Sequence, residues 1–148
     1  ILRIKDFVGD NFFLTYGDGL SNINIKKLLN YHKIQNKLAT ISIVQPLGRF
    51  GAVKINSKDN LIQSFSEKLK GDGGWINGGF FVLNKKIFEY LKDDNTMWEK
   101  EPLETLAKKK ELAGYKHNDF WYPCDTIRDK INLENLWNAN KAPWKIWK

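Results

Sequence analysis

Residues 12–16 run directly into the sequence Gly17-Asp18-Gly19, and an apolar pattern with helical spacing begins close to Asn22. Aromatic and β-branched residues predict a strand for 12–16, so the chain delivers Asp18 to the end of a strand. In open α/β sheets, ligands bind beyond the carboxyl ends of the strands, and glycines allow close approach to the backbone. The pattern favours a site for a metal ion with attached phosphates. A simple tight turn around Asp18 is the alternative.

Strand and helix patterns alternate along the chain, which predicts an α/β fold with a mixed, mostly parallel sheet flanked by helices. Apolar positions at three- and four-residue spacing predict a helix after Ser21 or Asn22 as N-cap, and a β-branched run predicts a strand at 38–44. This order predicts a right-handed βαβ unit whose two strands are parallel neighbours. Further along, we expect a hairpin at 52–55 and 60–65, strands at 80–83, 112–117 and 119–122, and helices at 85–91, 103–110 and 126–138.

Composition predicts one globular domain, 1–148, because 148 residues with 42% hydrophobic side chains are enough to bury a core. The single cysteine, Cys124, cannot form an internal disulfide, and no apolar run approaches the roughly 20 residues of a membrane helix. We therefore expect a cytoplasmic protein without a membrane segment. The net charge of +7 favours anionic partners, but the lysines are scattered, and 108–110 is expected at a helix end.

A second carboxylate occupies a corner of the same kind. Asp125 follows the sequence Phe120-Trp121-Tyr122-Pro123-Cys124, where a strand is expected to end and the last helix to begin. Two carboxylates at strand ends could share one hard cation through their oxygens, leaving coordination positions for phosphates and water. The alternative is that Asp125 only caps the helix, which aspartate does well.

Seven short strings occur in one order along the chain: YGDG at 16–19, GRFG at 48–51, EK at 67–68, GDGGWINGG at 71–79, WEKEPL at 98–103, FWYPCDT at 120–126 and KAPWK at 141–145. Together they resemble the sugar-nucleotide pyrophosphorylase (nucleotidyltransferase) family, most closely its glucose-1-phosphate cytidylyltransferases. The resemblance covers nearly the whole chain. It implies a partial Rossmann-like, GT-A-like fold and the synthesis of CDP-glucose and pyrophosphate from CTP and glucose 1-phosphate.

The resemblance also implies roles for individual residues, in a reaction that needs positioning and charge neutralisation more than a covalent nucleophile. The implied catalytic residues are Asp18, Lys68 and Asp125, with Asp18 and Asp125 holding Mg²⁺ and Lys68 at the sugar phosphate. The implied substrate-binding residues are Glu67 and Lys68, with Asn77, Gly78 and Gly51 around the hexose. Without the resemblance, Glu67 and Lys68 are ordinary exposed strand residues and Asn77 is a turn former.

The chain departs from the family pattern at its beginning. Members of the family open with a strand and a loop of the type G-G-x-G-T-R, which cradles the nucleotide phosphates, and these 148 residues contain no such loop. A smaller departure is Leu69, where the family has proline after Glu-Lys. We expect a C-terminal portion of the domain, inactive alone and completed by a longer polypeptide or a separate N-terminal chain. A remnant without activity is the other account.

Partners follow from these expectations. We expect CTP and glucose 1-phosphate as substrates, a homo-oligomer of the full enzyme, and neither membrane nor nucleic acid as a partner. Two further classes stay open as alternatives. One is a basic, aromatic-rich module that binds single-stranded nucleic acid, and the other is an assembly role in which the tail with Trp144 and Trp147 docks on a partner.

Overall fold

The structure is a computed structural model that describes residues 1–46, 52–56, 61–66 and 74–147. Within these ranges the chain forms both helices and strands, as the sequence predicts. In chain order they are a 3-10 helix (Leu2–Ile4), β1 (Asn11–Thr15), β2 (Gly19–Ser21), α1 (Ile25–Gln35), β3 (Ala39–Val44), β4 (Ala52–Ile55), β5 (Ile62–Ser66), β6 (Ile76–Asn84), a second 3-10 helix (Lys85–Tyr90), α2 (Glu101–Lys108), β7 (Leu112–His117), β8 (Trp121–Pro123) and α3 (Ile127–Asn138).

A four-stranded sheet with the strand order β1-β6-β3-β7 forms the centre. β6 is antiparallel to both of its neighbours, and β3 and β7 are parallel, so three of the four strands share one direction. The expected mixed sheet is confirmed. The expectation that β1 and β3 are neighbours is wrong, because β6 lies between them. Phe81, Val82 and Leu83 of β6 are consecutive and fully buried, which is the burial of a central strand covered on both faces.

The core fills both faces of this sheet, because side chains alternate along a strand. Phe81 and Leu83 belong to one buried cluster, which also contains Ile87 of the second 3-10 helix and Leu106 of α2. Val82 lies in a second cluster with Leu28 of α1. Helices therefore cover the sheet on both sides, as the sequence predicts.

The start of α1 differs from the prediction. Its N-cap is Asn24, whose side chain accepts a hydrogen bond from the backbone N–H of Lys27. The predicted caps Ser21 and Asn22 are wrong, because Gly19–Ser21 forms the short strand β2 instead. The capping residue must follow the end of that strand, so the helix begins later.

Other elements agree with the expected ones apart from their ends. β4 and β5 form the predicted antiparallel hairpin, while residues 57–60 of its connection lie outside the described residues. The helix predicted at 85–91 is a 3-10 helix over Lys85–Tyr90, and Pro102 lies in the first turn of α2 as expected. None of the helices in the described ranges is both long and apolar enough to cross a bilayer. The assignment of 1–148 to one domain stays a prediction.

Candidate active site

A two-stranded ladder carries the two predicted metal-binding residues. β2 and β8 are antiparallel, with Gly19 opposite Pro123, and one step further the backbone N–H of Cys124 donates to the carbonyl oxygen of Asp18 at 2.7 Å. Asp125 is the next residue, so Asp18 and Asp125, 107 positions apart along the chain, lie at the same end of one ladder. Both are exposed.

Directional hydrogen bonds attach this ladder to the central sheet. The indole N–H of Trp121 on β8 donates to the carbonyl oxygen of Gly78 on β6 at 2.8 Å. The hydroxyl of Ser21 on β2 donates to the carbonyl oxygen of Phe120 at 2.8 Å and lies 3.1 Å from Nε2 of His117, the last residue of β7. The ladder, and the two carboxylates with it, is therefore held against β6 and β7.

Asp125 does not cap the last helix. The N-cap of α3 is Thr126, whose hydroxyl oxygen accepts from the backbone N–H of Asp129 while the carboxylate of Asp129 accepts from the backbone N–H of Thr126. This reciprocal arrangement satisfies the helix start by itself. The capping alternative for Asp125 is wrong, and its carboxylate is not committed to that task.

A pair of carboxylates suits Mg²⁺ better than it suits a metal ion whose ligands all come from the protein. Among the described residues, no group of three or more His, Cys, Asp or Glu side chains could hold a metal ion. Mg²⁺ is usually bound through one or two carboxylates and completes its octahedron with water and substrate phosphates. Two exposed carboxylates at one ladder end, Asp18 and Asp125, are therefore a suitable protein contribution.

Gly78 is tightly enclosed by β3. A Cβ atom added there would lie 2.7 Å from Oγ of Ser42 and 3.0 Å from Cγ1 of Val44. The carbonyl oxygen of Gly78 is also occupied, by the indole of Trp121. Packing alone explains the glycine, and its predicted place beside the hexose stays a prediction.

Asn77 lies within β6, so the interpretation of this residue as a turn former is wrong. Its Oδ1 accepts from the backbone N–H of Gly79 at 2.7 Å, and its Nδ2 donates to the hydroxyl of Tyr16 at 3.0 Å. The same Nδ2 lies 3.5 Å from Oε1 of Glu99. The amide is thereby held from three segments of the chain.

Three of the predicted site residues, Gly51, Glu67 and Lys68, lie outside the described residues. β5 ends at Ser66, directly before Glu67. The roles of these three residues stay predictions, as does any contact between them and the two carboxylates.

A cavity of about 440 Å³ opens beside Asp18. Its lining residues come from the first residue of the chain, from β1 and its end, and from the segment before α2, namely Ile1, Leu14, Tyr16, Asp18, Met97, Trp98 and Glu99. Burial and the nearby carboxylate of Glu99 raise the pKa of Tyr16 above its ordinary value. Tyr16 and Glu99 are site residues that the sequence reasoning missed, although both lie in strings that carried the family resemblance.

Comparison with known proteins gives the family. Residues 1–141 match the family described as Nucleotidyl transferase. The chain belongs to this family. It is 48% identical over 147 residues to the glucose-1-phosphate cytidylyltransferase of Salmonella typhimurium strain LT2. That alignment covers 98% of the chain but 56% of the relative, so the chain spans little more than half of that relative's length.

Solved structures show the same nucleotidyltransferase fold at lower sequence identity. HddC from Yersinia pseudotuberculosis superposes with a TM-score of 0.60 at 22% identity, covering 88% of this chain and 57% of that one. Apo UDP-glucose pyrophosphorylase superposes with a TM-score of 0.63 at 17% identity, covering 95% of this chain and 59% of that one. The expected GT-A-like architecture is confirmed.

Proposed function

We propose that the protein to which this chain belongs transfers the cytidylyl group of CTP to glucose 1-phosphate, giving CDP-glucose and pyrophosphate. The observation that carries the proposal is the hydrogen bond from Cys124 to Asp18, because it joins the backbones beside two distant carboxylates. The 48% identity to a glucose-1-phosphate cytidylyltransferase supports the choice of substrates. The membership in the nucleotidyl transferase family supports the class of reaction.

The reaction is a displacement at phosphorus. A phosphate oxygen of glucose 1-phosphate attacks the α-phosphorus of CTP, a new P–O bond forms, and the bond to the bridging oxygen breaks as pyrophosphate leaves. Asp18 and Asp125 would hold Mg²⁺, which neutralises phosphate charge when it is bound. The contribution of the chain is to hold these two carboxylates at one ladder end, braced by the hydrogen bond from Trp121 to Gly78. Positioning of this kind is what phosphoryl-type transfer requires.

Lys68 as the phosphate contact, Glu67 as an acceptor for sugar hydroxyls, and Gly51 beside the hexose belong to the same proposal. The sequence lacks a G-G-x-G-T-R loop, so the nucleotide phosphates need a loop supplied by other parts of the enzyme. We expect the isolated 148 residues to show no turnover. A cytoplasmic location and a homo-oligomeric full enzyme are further parts of the proposal.

The test measures pyrophosphate release from CTP and glucose 1-phosphate by a full-length enzyme containing this chain, with Mg²⁺ present. Asp18→Asn and Asp125→Asn should each lower kcat by about 100-fold or more, since each removes a charge that acts on the transferring phosphates. Asp10→Asn is the matched control, because Asp10 precedes β1 at the opposite end of the strand from Asp18. Near-normal turnover in either of the first two variants, or no CDP-glucose from the unaltered enzyme, contradicts the proposal.

A further inference from the structure

Three polar side chains from distant segments meet beside the cavity. Tyr16 follows β1, Asn77 lies in β6, and Glu99 precedes α2. Nδ2 of Asn77 donates to the hydroxyl oxygen of Tyr16 at 3.0 Å and to Oε1 of Glu99 at 3.5 Å. Tyr16 and Glu99 also line the cavity together with Asp18.

The directions of these hydrogen bonds fix one another. A carboxylate only accepts, so the contact with Oε1 of Glu99 at 3.5 Å requires the NH₂ end of the Asn77 amide to face it. The hydroxyl oxygen of Tyr16, 3.0 Å from the same Nδ2, then accepts from that NH₂ group. At the other end, Oδ1 of Asn77 accepts from the backbone N–H of Gly79 at 2.7 Å. The amide is thus held in one of its two flipped orientations from both ends.

The tyrosine itself has little freedom. Gly79 has a φ of +76°, and a Cβ atom built there would lie 3.0 Å from Cδ2 of the Tyr16 ring. The ring also packs against Phe81, with centroids 5.5 Å apart. The sheet therefore fixes the position of the Tyr16 hydroxyl, which is the hydrogen-bond acceptor for Nδ2 of Asn77.

We propose that Tyr16 and Glu99 are positioning residues that hold the Asn77 amide so that Oδ1 accepts a hydrogen bond from a hexose hydroxyl. An amide oxygen has two lone pairs, and Gly79 uses one of them. Without Glu99 the hydroxyl of Tyr16 could donate instead, and the amide could turn its NH₂ group toward the sugar. This inference rests on the proposed function, because it assumes that a sugar phosphate binds beside Asn77.

The test is a double-mutant cycle in the full-length enzyme, read as the Kd for glucose 1-phosphate and, separately, for CTP by calorimetry. Tyr16→Phe keeps the ring and removes only the hydroxyl, so it should weaken glucose 1-phosphate binding by about 3- to 10-fold. Glu99→Ala should do the same, and both should leave the Kd for CTP within about 2-fold. In an Asn77→Ala background, Tyr16→Phe should have no further effect on either Kd.

Matched controls separate positioning from general stabilisation. Tyr31→Phe removes a tyrosine hydroxyl that donates to the carbonyl oxygen of Gly114 at 3.0 Å, and Glu101→Gln alters a carboxylate paired with Lys92 at 2.7 Å. Both should leave the two Kd values unchanged. If Tyr16→Phe lowers the Tm but weakens both ligands equally, or acts fully in the Asn77→Ala background, the residues are a structural brace and the inference is wrong.

The two proposals can fail separately. An unaltered enzyme that binds glucose 1-phosphate and shows the expected cycle but releases no pyrophosphate would support the positioning role and reject the cytidylyl transfer. An enzyme that makes CDP-glucose while Asn77→Ala leaves the Kd for glucose 1-phosphate unchanged would reject the positioning role alone. An unaltered enzyme without measurable binding of glucose 1-phosphate would reject both.

Discussion

The central sheet and the β2–β8 ladder are held together by different forces. β6 contributes three consecutive residues that are fully buried, and its neighbours pair with it over most of their length. The ladder has three residue pairs, all half-buried, and depends on single hydrogen bonds such as that from Trp121 to Gly78. Apolar burial is spread over many contacts, whereas a directional bond fixes one geometry. We infer that the central sheet accounts for the stability of the fold, whereas the ladder fixes the positions of Asp18 and Asp125.

The largest expected effect on stability is a cavity in the central sheet. Leu83 is fully buried in β6, and Leu83→Ala should lower the free energy of unfolding by about 2–5 kcal/mol, because the side chain leaves an apolar void. Urea denaturation of the full-length enzyme measures this change. Phe13→Ala on β1 is the control, since Phe13 is 49% exposed and should cost far less. Equal losses in the two variants would contradict the assignment of stability to the buried face.

The same contrast decides what the sequence could predict. The strand before Asp18 and most helices were predictable, because their signals are local runs and spacings. The short strand Gly19–Ser21 was missed, since three half-buried residues carry no periodic pattern, and the cap of α1 was misassigned as a result. The place of β6 between β1 and β3 depends on pairing between residues far apart in the chain, such as Thr15 with Phe80 and Ala39 with Leu83. No local pattern records such a pairing.

The candidate site was predictable where a motif marks it and not where contacts across the fold create it. Asp18 and Asp125 were found because each stands at a strand end within a recognisable string. Tyr16 and Glu99 lie in equally recognisable strings, yet they are 83 positions apart and meet only at the cavity and at the Asn77 amide. Sequence reasoning gave neither residue a role, because side-chain contacts follow only from the three-dimensional arrangement of β1, β6 and the segment before α2.

An intermediate effect is expected where the sheet meets the ladder. Gly78→Ala places a methyl group 2.7 Å from Oγ of Ser42, so β6 and β3 must move apart. Overpacking of this kind costs about 1–3 kcal/mol in the free energy of unfolding. The displacement should also loosen the bond from Trp121, which near-ultraviolet circular dichroism of the indoles can report. Gly9→Ala, where nothing lies within 4 Å of the added atom, should be neutral, and a neutral Gly78→Ala would mean that the contact is not rigid.

The smallest effect is expected from a buried histidine on the sheet side. His32 of α1 is 3% exposed, with Nδ1 2.9 Å from Oγ1 of Thr40 and Nε2 3.2 Å from Oδ1 of Asn11. Burial lowers the pKa of His32 below its ordinary value of 6.5, so the folded state favours the neutral ring. The unfolded chain then binds more protons in acid, and stability falls as the pH drops below about 6.5, down to the lowered folded pKa.

His32→Gln should remove this part of the acid sensitivity. The unfolding free energy of the unaltered enzyme minus that of the variant should decline as the pH is lowered from 8 to about 5. The reason is that only the unaltered enzyme contains His32, whose ring the folded state keeps neutral. His117→Gln is the counterpart on the ladder side, where His117 contacts Ser21; it retains His32, so its own unfolding free energy should still fall in acid. A His32→Gln variant with the same pH dependence as the unaltered enzyme would show that the central sheet does not penalise a charge at this position.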